Sequence, residues 1–574
     1  MIALCRTLVL PLFLSPLMTA QPADLILRNG KIITVDSRSS IAQAIAIRGD
    51  RIAAVGTEAI VLRLRGPKTK IIDVEGRTVM PGLIDSHTHA LDASLYEFDH
   101  EIPAMATMAD VLAHIRQRAA IVPMGEWIVL RQVFITRLIE QRYPTRAELD
   151  AAAPRHPVIF STGPDASLNT LGLARNQITK DTKSPAGQPG KVELDPITGE
   201  PTGILRTYAA FVKSVATGRQ PNAVERMARL KLLMADYNSL GITSITDRAA
   251  TSQHVDIYRR MRQEGTLSCR VFLDYHLTEP NREWKLVEAE LDRVAADPLH
   301  RYDNMLWLRG LKVFLDGGML TGSALMREPW GKSEIYSIAD PEYRGMRYID
   351  PQRLFELARA SLKRELQFTA HAVGDGAIHA LIAAYERVNE ETPVRAGRPN
   401  LTHANFMTPE AIEKMAKLGI VADMQPAWLE LDGTTLTRQF GLARLRFFQP
   451  YASLFKSGVV VGGGSDHMQS IGGMRAVNPY HPFWGMWIAI QRMPRWATQP
   501  LHPQERITRE QAIRFYTINN AYLSFEEMEK GSLEAGKLAD LIVLDKDILT
   551  CPVDAIKDIK VVSTYLGGRQ VYQR

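Results

Sequence analysis

Cysteine is nearly missing from this chain. It holds three in 574 residues, and loss of Cys5 with the N-terminal segment would leave Cys269 and Cys551, too few for a disulfide framework or a cysteine metal site. A low-complexity tract, a glycine or proline excess and a run of like charge are also absent. These absences exclude a fibrous or largely disordered chain. Lysine and arginine are spread along the sequence under a formal net charge of +6, which gives no basic face for nucleic acid. No apolar stretch is long enough for a stable membrane span. The nearest, residues 7–17, is broken by Pro11 and Pro16, preceded by Arg6 and followed by Met18-Thr19-Ala20. That layout reads as an export signal over 1–20 and predicts a periplasmic or secreted protein.

What is present is ordinary globular material, 45% hydrophobic and 23% charged, in a chain too long for one hydrophobic core. Short β-type runs with glycine turns, DLILRNGKIITV and AIAIRGDRIAAVG among them, fill 21–80. The same texture returns over 531–574 in GSLEAGKLADLIVLD and VVSTYLGGRQVYQ, so the two ends are expected to pair into one small composite β-sandwich domain.

Between them, 81–530 alternates apolar strands with amphipathic helices, the pattern of a parallel α/β fold and here of a (β/α)8 TIM-like barrel. Helix signals are explicit. Thr408-Pro409 opens one helix that Gly419 closes, Asp350-Pro351 opens another, and Thr145 with Glu148 and Thr508 with Gln511 have capping-box spacing. Strand-like runs lie at 83–89, 157–163, 242–247, 270–276, 311–316, 367–373, 400–404, 419–425 and 458–465, one more than a barrel needs. The surplus run is 157–163, because the connection after the first run is far longer than a usual βα loop. Residues of about 100–220 are therefore read as an inserted lid after the first barrel strand.

The chemistry begins in PGLIDSHTHA, where His87 and His89 stand two apart on a strand and so face the same way. That geometry suits two ligands of one metal, although two packed histidines would explain the pair alone equally well. Their company decides it. His371 ends QFTAHAVGD, His403 ends PNLTHAN and Asp466 ends GVVVGGGSD, and the C-terminal strand ends of a parallel barrel converge on one mouth. Imidazole and carboxylate together serve divalent cations of intermediate softness.

VMPGLIDSHTHA followed by a distant GSLEAGKLADLIVLD resembles the amidohydrolase superfamily. YPTRAELDAAAP, GEPTGILR, GITSITD, LKVFLDG, HAVGDGAI and RFYTINNAY are similar to its family-3 branch of N-substituted formamide deformylase-like and YtcJ-like hydrolases. The resemblance runs over nearly the whole mature chain. It implies two divalent metal ions, zinc by preference, with His87, His89 and Asp466 on one and His371 and His403 on the other. It also places Lys312 of LRGLKVFLDG where a carboxylated lysine would bridge them. The residues supply their own reason: Lys312, Phe314 and Asp316 share a strand face, and an ammonium beside two cations is disfavoured where a CO2-derived anionic lysine is not. The alternative is a lysine that reaches solvent or pairs with Asp316.

Such cations lower the pKa of a shared water and polarise a carbonyl, and Asp466 would be ligand and proton carrier together. The expected reaction is hydrolysis of a C–N bond in an amide, N-formyl or cyclic amide group of a small molecule, with no nucleic-acid partner and a homodimer left open. Secondary candidates for substrate contact are Asp247, Asp375, Gln425, His467 and Arg206. Asp375 could instead cap a helix, Asp247 could brace a metal histidine, and Trp428 could line the pocket or simply pack. Where the branch often carries Asp-Gly-His before an Asn, this chain reads Thr162-Gly163-Pro164 before Asn169, a change that bears on substrate choice. Two rival readings differ in class. A mononuclear deaminase would carry a His-x-x-Glu acid, which HAVGDGAI lacks, and a non-catalytic ligand-binding barrel would have no use for Asp466 as proton carrier.

Overall fold

The computed structural model describes residues 21–131, 133–163, 165–183, 190–215 and 218–574. The expected export signal over 1–20 lies outside the described residues, as does Pro164. Apolar runs that could be buried on both faces become the parallel strands of the barrel. They are β1 (Leu83–Thr88), β2 (Ile242–Ala250), β3 (Arg270–His276), β4 (Leu306–Phe314), β5 (Gln367–Ala372), β6 (Asn400–His403), β7 (Val421–Met424) and β8 (Val461–Gly463). They lie side by side in chain order as one eight-stranded sheet.

The sheet curls until β8 meets β1. At the mouth the Asp466 N–H donates to the His87 carbonyl and the His89 N–H to the His467 carbonyl, both at 2.8 Å. Lower on the same seam, Asn520 Nδ2 donates to the carbonyls of Ile84 (2.5 Å) and Gly463 (2.7 Å). The glycine run of VVVGGGSD is what permits this approach. A Cβ on Gly462 would lie 2.0 Å from Asn520 Oδ1, and one on Gly464 would lie 2.7 Å from the His87 nitrogen.

The helix signals act as expected. Thr408 accepts from the Ala411 N–H and Gly419 closes that helix at φ 70°, Asp350 accepts from Gln352 and Arg353, and both capping boxes form. The surplus run appears as Val158–Ser161 in a separate five-stranded sheet with Ile128–Leu130, Ala166–Leu168, Lys191–Leu194 and Pro201–Arg206. This insertion shares a buried core with Trp330, Phe406, Trp428 and Trp484. Those residues follow β4, β6, β7 and β8, so the insertion sits on the mouth side of the barrel.

Strands from the two ends of the chain interleave. Leu541–Leu544 pairs antiparallel with Thr78–Pro81 in a six-stranded sheet, and a four-stranded N-terminal sheet packs on it through Leu27, Ile45, Ile47, Leu541 and Val543. Among the described residues no helix is long and apolar enough to cross a membrane.

Candidate metal centre

The His-x-His pair at the end of β1 and Asp466 just beyond β8 are brought together by the closing seam. Asp466 Oδ1 lies 3.1 Å from His89 Nε2 and 3.3 Å from His87 Nε2, and the ligand atoms of the three all fall within 4.8 Å of one another. The His403 ring is 4.9 Å from that of His87 and 4.5 Å from that of His371. Four strand ends thus deliver one continuous cluster. Two of its members pay for their aim in backbone strain, since His403 (φ 78°) and Asp466 (φ 54°) both occupy the left-handed region that non-glycine residues avoid.

Behind two of the imidazoles stands a group that sets the ring's orientation. His87 Nδ1 lies 2.7 Å from Asp423 Oδ2, and His403 Nδ1 lies 2.7 Å from Gln425 Oε1. This leaves their Nε2 atoms as the ring nitrogens that an ion could take. Asp85 fixes the strand end itself, accepting from the backbone N–H groups of His87 and Ser465, each at 3.0 Å. His371 Nε2 is 3.3 Å from the Gly317 carbonyl, and the face of its neighbour His403 is covered by Trp428 at 4.8 Å.

Lys312 is fully buried and its Nζ has no hydrogen-bond partner; the same holds for His87 Nε2. It neither reaches solvent nor pairs with Asp316, whose carboxylate accepts from the N–H groups of Leu325, Val373 and Gly374. The charge of Lys312 acts on His87, His371 and Asp466. Orphaned buried polar atoms are costly, and a donor set of imidazoles, a carboxylate and an unpartnered amine fits divalent cations of zinc type.

The electrostatics agree. Burial, with Lys312 adding to it, holds His87 well below its ordinary value and brings His371 down to about 3. Burial and the neighbouring His371 do the same to His403. Burial also brings the Lys312 amine down to about 8 and pushes the Asp466 carboxyl up. Neutral imidazoles and a readily deprotonated amine are the forms that ligate metals.

The secondary candidates fall elsewhere. Arg206 is corrected from substrate contact to internal strut: it is 2% exposed and donates to Asp165, Glu193, the Tyr143 hydroxyl and the carbonyls of Thr321, Tyr336 and Ser337. Asp247 likewise is spent on the Tyr258 hydroxyl at 2.7 Å and does not brace a metal histidine. Asp375 is not the helix cap, a place held by Gly374, and accepts from the Arg327 N–H. Gln425 serves His403 rather than a substrate, and His467 is enclosed by Tyr237, Gln469 and Ser470. Asn169 caps the helix Thr170–Arg175.

Asp423, Asp85, Asp274 and Arg248 escaped the sequence reading. Asp423 had a signal, since it stands two before Gln425 on a strand and so shares its face. Asp85 had the same signal, standing two before His87 on its strand, whereas Arg248 and Asp274 are paired only by the barrel.

A barrel of this topology with a histidine and aspartate centre at its mouth defines a hydrolase of the metal-dependent class. Residues 70–572 match the model of the amidohydrolase family, and the chain belongs to that family. It is 31% identical to an N-substituted formamide deformylase of Arthrobacter pascens, over 96% of this chain and 99% of that one. It is 23% identical to the putative amidohydrolase YtcJ of Bacillus subtilis, over 95% and 99%. In fold it is similar to an uncharacterized metal-dependent hydrolase of Pyrococcus horikoshii, with a TM-score of 0.66 at 19% identity, covering 92% of this chain and 99% of that one.

Proposed function

We propose that this chain hydrolyses the C–N bond of a small N-acyl or N-formyl amine, or of a cyclic amide, at a centre for two divalent cations. His87, His89 and Asp466 would hold one cation and His371 and His403 the other, with carboxylated Lys312 between them. The observation that carries this is the meeting of Asp466, His87 and His89, whose ligand atoms all fall within 4.8 Å of one another, with His87 Nε2 and the buried Lys312 Nζ both left without a hydrogen-bond partner. Bound there, the cations would acidify a water and polarise the scissile carbonyl.

The protein's own part is orientation and proton transfer. Asp423 and Gln425 keep His87 and His403 aimed through their Nδ1 atoms. The Asp466 carboxylate accepts the proton of the attacking water as the C–O bond forms, and returns it to the departing nitrogen as the C–N bond breaks. Burial of this carboxylate favours the protonated form that the return step requires.

The Arthrobacter pascens relative is named for N-substituted formamides, which makes these the first compounds to try. The test is a hydrolysis screen of formamide, amide, lactam and ester panels with zinc-loaded protein. Turnover of a C–N panel that a chelator abolishes supports the reading, and inactivity on all C–N compounds contradicts it.

A further inference from the structure

Beneath the cluster, inside the barrel, lies a guanidinium that the chemistry above does not use. Arg248, at the end of β2, is 1% exposed and among the largest fully buried side chains. Its Nη1 is 2.6 Å from Asp274 Oδ2. Its Nε donates to the Ser86 carbonyl at 2.8 Å and stands 3.7 Å from Asp423 Oδ2. That carboxylate oxygen is the one that receives His87 Nδ1 at 2.7 Å. A single guanidinium therefore holds His87 from two sides, through the carbonyl of the residue before it and through the carboxylate that orients its ring.

A buried guanidinium needs an anion of its own, and the chain makes room for one. Asp274 on β3 is in register with Gly310 on β4, where a Cβ would lie 1.3 Å from Asp274 Oδ1. Only glycine at 310 lets Asp274 reach its place. With Asp274 neutralising Arg248, Asp423 is free to accept from His87.

We propose that Arg248, anchored by Asp274, is a positioning residue for the metal centre, which fixes the direction of the His87 Nε2 lone pair through Asp423 and the Ser86 carbonyl and thereby sets the affinity for the cation. This rests on the proposed function. Groups that orient a metal histidine from behind typically carry about 10- to 100-fold in metal affinity. Lysine cannot replace arginine here, because a point-charge ammonium lacks the planar fork that spans Asp274, Ser86 and Asp423.

The test is a competition titration of zinc or cobalt against a chromophoric chelator, using full-length wild type, Arg248→Lys and Asp274→Asn, with the visible spectrum of the cobalt form as second readout. Both variants leave every proposed ligand in place. We expect dissociation constants weakened by about 10- to 100-fold and a shifted cobalt spectrum in each variant that folds. Asp274→Asn is nearly isosteric and decides the matter where Arg248→Lys fails to fold. Folded variants with wild-type affinity and spectrum would overturn the role of Arg248 while leaving the metal centre standing. A wild-type protein that takes up no cation would overturn the proposed function itself.

Discussion

His87 and Asp466 are joined twice: the Asp466 N–H donates to the His87 carbonyl at 2.8 Å, and Asp466 Oδ1 lies 3.3 Å from His87 Nε2. The hydrogen bond belongs to the closure of the barrel, and the second approach, which is no hydrogen bond, to the candidate metal centre. Since the first and last strands supply both partners, the ligands meet only when the sheet has closed.

Asp466→Asn keeps the shape of the side chain and removes its capacity to carry a proton. On any substrate that the hydrolysis screen yields, kcat should fall by about 100- to 10,000-fold, the range of general acid–base contributions, with an unchanged circular dichroism spectrum. A variant that keeps wild-type kcat would remove the proton-carrying role.

Lys312 should carry CO2. Wild-type protein loaded with zinc in labelled bicarbonate is expected to give one carbonyl resonance by 13C NMR that Lys312→Met lacks, and Lys312→Met should lose activity with it. Identical spectra for the two proteins would return Lys312 to the status of a buried amine.

Asn520→Ala tests the lower seam of the barrel. It strips a donor from the carbonyls of Ile84 and Gly463, and each buried group left unsatisfied costs about 1–3 kcal/mol. Thermal unfolding followed by circular dichroism should show a lowered midpoint. Since the seam also joins His87 to Asp466, zinc should stabilise the variant less than it stabilises wild type.

Arg206→Met leaves Asp165, which is fully buried, without its counter-charge. Breaking a buried ion pair from one side costs about 3–5 kcal/mol, so limited proteolysis should cut the inserted sheet sooner than in wild type. KM is expected to stay unchanged, and a raised KM with normal proteolysis would restore Arg206 as a substrate contact.

The barrel was legible because its signals are local. Alternating strands and capped helices give the order of elements, and the overlong connection after 83–89 exposes the insertion. The meeting of His87, His89, His371, His403 and Asp466 was legible because each sits at a strand end, and the strand ends of a parallel barrel converge on one mouth. Arg206 and Asp247 misled for the converse reason: both are charged residues at a strand, and whether such a charge faces the mouth or pairs inward depends on partners far away in sequence, Asp165 and Tyr258 among them. Arg248 and Asp274 were invisible on the same ground. Their pairing depends on register between neighbouring strands and on the space that Gly310 leaves, neither of which a one-dimensional pattern carries.

The most direct test of the central claim is anomalous diffraction from crystals of the zinc-loaded protein, collected on both sides of the zinc edge. The account predicts two peaks per chain, one in reach of His87, His89 and Asp466 and one in reach of His371 and His403, with density continuing from Lys312 Nζ between them. No peak at these histidines, or zinc held only at other residues, would contradict it.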